Sequence, residues 1–137
     1  MLQTIDHVGY LVRDVDRAAE NMSRLFGLSV LRRVEVPQFV LVAAFLGVDQ
    51  PSVELLTLTE REIVDERLAG RDVMLDHVAY LVSDLDGHVA ELRREGVRFV
   101  GPNRRDELPG PVELGGARHI WTLPETAGGY GIQLIER

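Results

Sequence analysis

The sequence predicts an α+β fold made of two tandem βαβββ modules. Three observations carry this reading. Residues 5–16, Ile-Asp-His-Val-Gly-Tyr-Leu-Val-Arg-Asp-Val-Asp, and residues 75–86, Leu-Asp-His-Val-Ala-Tyr-Leu-Val-Ser-Asp-Leu-Asp, agree at eight of twelve positions. Each copy then passes from alternating β-formers into a helical stripe that stops at a glycine, Gly27 or Gly96. Beyond each glycine lie short apolar runs of strand length. Self-similarity of this kind in so short a chain marks a duplicated supersecondary unit.

The elements follow in order. His7-Val8-Gly9-Tyr10-Leu11-Val12 alternates and is rich in β-formers, so it is a strand. Asp14 and Asp16 supply an N-cap and a first-turn carboxylate. Ala18, Ala19, Met22, Leu25 and Phe26 form the apolar stripe of a helix over 16–26, with Gly27 as its C-cap. Strands are expected near 28–35, 39–46 and 52–58. The second copy reads alike: a strand over 75–82, a helix over 85–95, and strands near 97–100, 117–123 and 130–136. Module one therefore spans about residues 1–58, a connector 59–74, and module two 75–137. The connector is charged and holds a short surface helix near 60–68, read as a solvated link. Pro102–Gly116, rich in Gly, Pro and charge, is an ordinary loop or a lid.

Composition narrows the chemistry. The chain has 137 residues, 45% of them hydrophobic, which is enough for a real core. A net charge of -7 argues against nucleic acid and anionic membrane as partners. No apolar run approaches membrane-spanning length and no leader is visible at Met1-Leu2-Gln3-Thr4, so a cytoplasmic protein is expected. There is no cysteine, which excludes thiolate chemistry. All fifteen basic residues are Arg, which excludes a lysine Schiff base or general base. Carboxylates, imidazoles, phenols and hydroxyls remain.

Four polar residues stand at matched places in the two copies. His7 and His77 head the first strand of each. Glu54, in Ser52-Val53-Glu54-Leu55-Leu56, and Gln133, in Gly131-Ile132-Gln133-Leu134-Ile135, sit in the last strand of each. A polar group inside an apolar strand is costly to bury without a partner. A two-fold duplication would gather all four, and two imidazoles, a carboxylate and an amide oxygen suit one divalent ion, whether Zn, Ni, Co, Mn or Fe. Taken singly, each has a simpler reading as a hydrogen-bonded core or surface residue. His119, in Arg118-His119-Ile120-Trp121-Thr122, faces either the pocket as an acid or base or the outside. It and Arg118 are the candidate substrate contacts, with Arg104 and Arg105 as further cations that an anionic substrate group could meet. His88 reads as a surface residue, and Tyr10 and Tyr80 as packing groups.

This arrangement resembles the vicinal oxygen chelate superfamily, which joins glyoxalases, bleomycin-resistance proteins and dioxygenases. The methylmalonyl-CoA epimerase family is the most similar within it. Ile5-Asp6-His7-Val8-Gly9, Phe26-Gly27-Leu28, Val53-Glu54-Leu55-Leu56, Leu75-Asp76-His77-Val78-Ala79, Gly115-Gly116-Ala117-Arg118 and Gly131-Ile132-Gln133-Leu134-Ile135-Glu136 carry the resemblance. It implies paired modules forming a cup-shaped mixed sheet around a metal held by His7, Glu54, His77 and Gln133. It also implies a homodimer and a small-molecule substrate. Two departures stand out. The epimerases normally carry a glutamate where this chain has Gln133. They also use an acid in the third strand of module one, which here reads Phe39-Val40-Leu41-Val42-Ala43-Ala44-Phe45-Leu46.

The activity implied is that of a metal-dependent isomerase or lyase, epimerase-like or glyoxalase-like, working through a metal-stabilised enolate. Glu54 is then the catalytic acid–base, the metal ligand, or each in turn. Two alternatives remain. One is an Fe(II) extradiol-type dioxygenase with His7, His77 and Glu54 as its triad. The other is a small-molecule (antibiotic) binding protein without catalysis.

Overall fold

The computed structural model describes residues 1–47 and 52–137. These residues form a mixed α+β fold in the order β1 (Ile5–Val12), α1 (Val15–Phe26), β2 (Ser29–Val36), β3 (Leu41–Gly47), β4 (Ser52–Leu58), α2 (Arg61–Leu68), β5 (Val73–Leu81), α3 (Leu85–Arg94), β6 (Phe99–Val100), β7 (Val112–Leu114), β8 (Ala117–Thr122) and β9 (Ile132–Glu136). Contacts divide them into two units: His7–Asp76, and Met1–Asp6 together with His77–Arg137.

In the unit His7–Asp76 the strands run in the order β2-β3-β4-β1. The β2–β3 and β3–β4 pairs are antiparallel and β1–β4 is parallel. The helix α1 starts where Asp14 accepts the Arg17 backbone N–H at 3.0 Å, and it ends on Gly27 at φ 70, a conformation that suits glycine. Its buried Val15 and Ala19 pack with Val12, Ala44, Leu46 and Leu55, and Tyr10 packs against this cluster, as its position suggested. Strand side chains alternate faces, so the opposite face carries His7, Gly9, Leu11, Ala43, Phe45 and Glu54.

Two sequence expectations need correction here. The third strand begins at Leu41 rather than 39. Pro37–Phe39 forms a 3-10 turn and Val40 turns the chain at φ 51, unusual for a β-branched residue. The connector is also no simple solvated link. Its helix α2 buries Ile63, Val64 and Leu68, the last fully, and packs on β4. The charged residues occupy only the outer face.

In the other unit the order is β5-β9-β8-β6, with β7 added beside β8. The β5–β9 pair is parallel and the rest are antiparallel. Met1–Asp6 belongs here because Gln3 and Thr4 exchange backbone hydrogen bonds with Leu81 at 3.0 and 2.8 Å. Asp84 caps α3 by accepting the Gly87 N–H at 3.2 Å. Leu85 and Val89 of α3 are buried, as are Ile120 and Leu134 on the facing strands. The stretch after β6, expected as a loop or lid, contains a strand. Gly115 and Gly116, at φ 58 and 81, close a tight β7–β8 hairpin that needs positive φ at both turn residues. Upstream, buried Asn103 accepts the backbone N–H groups of Arg105 and Asp106 and so fixes the bend. Among the described residues, no helix is long and apolar enough to cross a membrane.

Candidate metal centre

The unit His7–Asp76 holds a buried imidazole–carboxylate pair. Parallel pairing of β1 with β4 sets Gly9 opposite Glu54 and His7 opposite Ser52, so His7 and Glu54 are diagonal neighbours on the face away from α1. His7 Nε2 stands 2.8 Å from Glu54 Oε2, with the two side chains 3% and 7% exposed. Phe45, directly across β3–β4 from Glu54, meets the His7 ring edge-on at 5.1 Å. The Arg32 guanidinium covers the Phe45 ring at 4.2 Å. An apolar wall thus excludes water from the pair. Ala43 and Phe45 bring no acid to it, as the sequence indicated.

The other unit repeats the register. Ala79 lies opposite Gln133 just as Gly9 lies opposite Glu54. His77 and Gln133 are each 4% exposed. Trp121 stands across from Gln133, in the place that Phe45 takes across from Glu54. His119 faces inward on the same side as Gln133: its Nδ1 lies 2.9 Å from Gln133 Nε2 and its Nε2 lies 3.1 Å from the Leu114 carbonyl. The Gln133 Oε1 atom is buried and finds no hydrogen-bond partner. An orphan acceptor of this kind in a buried position is what a cation-binding group would leave.

An aspartate precedes each histidine. Arg137 binds Asp6 and Arg67 binds Asp76, and both aspartates are buried. These pairs fix the strand segment that presents each imidazole. The duplicated Asp-His dipeptide marked the aspartates, but nothing local in sequence pointed to the arginines.

Arg118 points to the helix side of β8. It bonds Asp86 of α3 at 2.6 Å and Glu136 of β9 at 2.9 Å. The guanidinium holds the Asp86 carboxyl below its ordinary range, first through the hydrogen bond, and Asp86 in turn raises Arg118. Glu136 also accepts the Leu85 backbone N–H. Arg118 therefore ties α3 to β9, and it and His119 project to opposite faces.

Residues 6–110 match the Glyoxalase/Bleomycin resistance protein/Dioxygenase superfamily, and the chain belongs to that family. More particularly, a lactoylglutathione lyase of Arabidopsis thaliana is 33% identical over 132 residues, covering 96% of this chain and 43% of the relative. The chain thus spans under half the length of the curated relatives it matches. The crystal structure of methylmalonyl-CoA epimerase from Mycobacterium tuberculosis aligns over 98% of this chain and 88% of its own, with TM-score 0.80 and 26% identity. A selenomethionine structure of methylmalonyl-CoA epimerase aligns over 99% and 96%, with TM-score 0.77 and 27% identity.

Proposed function

We propose that this chain is a metal-dependent isomerase or lyase that moves a proton on carbon next to a carbonyl. The observation that carries the reading is the matched pair of half-sites. His7 and Glu54 meet at 2.8 Å in one unit, while His77 and the partnerless Oε1 of Gln133 are buried at the equivalent register in the other. In this reading His7, Glu54 and His77 would be donors to a metal ion, with Gln133 adding a neutral oxygen. The residues present therefore fit a single divalent ion. When bound, that ion would supply Lewis-acid stabilisation to oxyanion charge developing on the substrate.

The protein's own groups do the rest. Glu54 is the carboxylate in this set, so it takes the proton from carbon and returns it. Its Oε2 lies 2.8 Å from His7 Nε2, so the carboxylate would act as ligand, base or each in turn. Phe45 and Ala43 keep water from the carboxylate. His77 and Gln133 would complete the donor set. Arg118 has no role in this reading because Asp86 and Glu136 occupy its guanidinium.

Proteins similar in sequence include a lactoylglutathione lyase and proteins similar in structure include methylmalonyl-CoA epimerases, so a thioester is the substrate class to test first. Elemental analysis of purified protein should find about one divalent ion per chain. Methylmalonyl-CoA in deuterated water should exchange its C2 proton, or S-lactoylglutathione should be turned over, in a metal-dependent way. Protein that takes up no divalent metal, or is inert toward both thioesters when loaded, would defeat the proposal. Because two imidazoles and one carboxylate also make an iron triad, oxygen consumption with Fe(II) and a catechol is the matching control. The proposal extends to a cytoplasmic homodimer, which sedimentation and fractionation would check.

A further inference from the structure

We infer that His119 is a positioning residue for Gln133: it sets the orientation of the amide so that the oxygen, not the nitrogen, is presented to the metal. The inference rests on the metal reading above and concerns the one amide in the donor set.

The hydrogen atoms give this contact its direction. Leu114 offers a backbone carbonyl, which can only accept. His119 Nε2, 3.1 Å away, must therefore carry the ring hydrogen. In a neutral imidazole that leaves Nδ1 as an acceptor. Gln133 Nε2, at 2.9 Å, donates to it. An amide has one nitrogen and one oxygen, so fixing the nitrogen on His119 aims the oxygen the other way. That oxygen is buried and partnerless. The chain Leu114 carbonyl, His119, Gln133 is thus directional.

The same chain accounts for an amide at position 133. A carboxylate has no hydrogen to give Nδ1, so a neutral His119 bonded to Leu114 would face it acceptor to acceptor. Leu114 is itself placed by the Gly115–Gly116 turn, which connects the hairpin motif to the donor. Module one needs no such device. Its matched position is Ala43, and a carboxylate presents an oxygen whichever way it turns.

Co²⁺ is the probe, read by its visible absorption and by calorimetric titration. Compared with wild type, His119→Phe should bind Co²⁺ about 10- to 100-fold more weakly, the usual effect of removing a group that orients a ligand. Its absorption bands should shift. His119→Asn, whose side-chain oxygen can accept near the Nδ1 position, should recover affinity to within a few-fold. Gln133→Ala should be as weak as His119→Phe, and the double variant no weaker than Gln133→Ala alone. Wild-type affinity and spectrum in His119→Phe, beside a weakened Gln133→Ala, would overturn the inference and leave the metal reading intact. Wild type that binds no Co²⁺ would overturn both. A nitrogen NMR spectrum of wild-type protein reads the tautomer whether or not the variants fold. Nε2 protonated with Nδ1 bare is expected, and the reverse or a doubly protonated ring would overturn the inference.

Discussion

The two halves of this chain solve one problem with opposite chemistries. At equivalent register the first has Glu54 against His7, and the second has Gln133 against His119. Across from them stand Phe45 and Trp121, so the apolar wall is common to both. What differs is the partner. A carboxylate beside an imidazole stays acid–base competent, whereas an amide held by an imidazole is committed to one orientation. A duplicated fold has kept its geometry while changing the chemistry at one position: one half carries a carboxylate, the other a neutral amide.

The sharpest break of this comparison is Glu54→Gln, which makes the halves alike. Turnover should fall at least about 100-fold, the low end for losing a general acid–base group. The thermal midpoint should stay close to wild type because the replacement is isosteric. Turnover near wild type would remove Glu54 from the proton path. Exchanging the two residues, Glu54→Gln with Gln133→Glu, tests whether the halves are interchangeable. The donor charge is conserved, but the carboxylate at position 133 would face the His119 Nδ1 acceptor and Ala43 offers the amide at position 54 no orienting group, so metal affinity should fall by about 10-fold or more. Turnover should stay at the level of Glu54→Gln alone, because the carboxylate now faces His119 rather than His7. Full recovery would show that side does not matter.

The next contrast is between two helices of the unit His7–Asp76. Leu68 is fully buried under the connector helix, in the unit His7–Asp76. Leu68→Ala should lower unfolding free energy by about 2–5 kcal/mol, read from the denaturant midpoint at constant slope. Leu25→Ala, at a position 58% exposed on α1, should change it by less than about 0.5 kcal/mol. Equal effects would mean that α2 is the surface link its charge suggests.

How much of this was legible follows from which interactions are local. The repeat revealed both strand–helix starts and four polar positions that are buried at matched register, because alternation and capping act within a few residues. Asp14 and Gly27 do what their sequence positions foretold. The burial of α2 was hidden, since Ile63, Val64 and Leu68 leave only a narrow stripe among charges. β7 was hidden in a Gly- and Pro-rich stretch whose Gly115-Gly116 pair is a hairpin signal. The contact of His119 with Gln133 depends on a diagonal across two strands, and no local pattern encodes it. The same holds for Arg67 and Arg137 on the aspartates.

The smallest effect concerns the helix starts, again by comparison. Asp16 and Asp86 are equivalent residues, and each meets an arginine: Arg33 from β2 in one unit, Arg118 from β8 in the other. Arg118 is also held by Glu136, so it is the better anchored. It keeps the Asp86 carboxyl below the ordinary value of 3.8. A folded-state pKa below the unfolded one contributes stability that is present above the unfolded value and is lost as pH falls through the folded one. The window therefore lies around and below pH 3.8. In Arg118→Ala, Asp86 should titrate closer to its ordinary value by NMR, and this share of the acid dependence of unfolding should disappear. Asp86 is exposed and its pair is screened, so the loss at neutral pH should be slight. An unmoved Asp86 titration in Arg118→Ala would locate the anchor of α3 elsewhere, in the Asp84 cap and the Glu136 contact with Leu85.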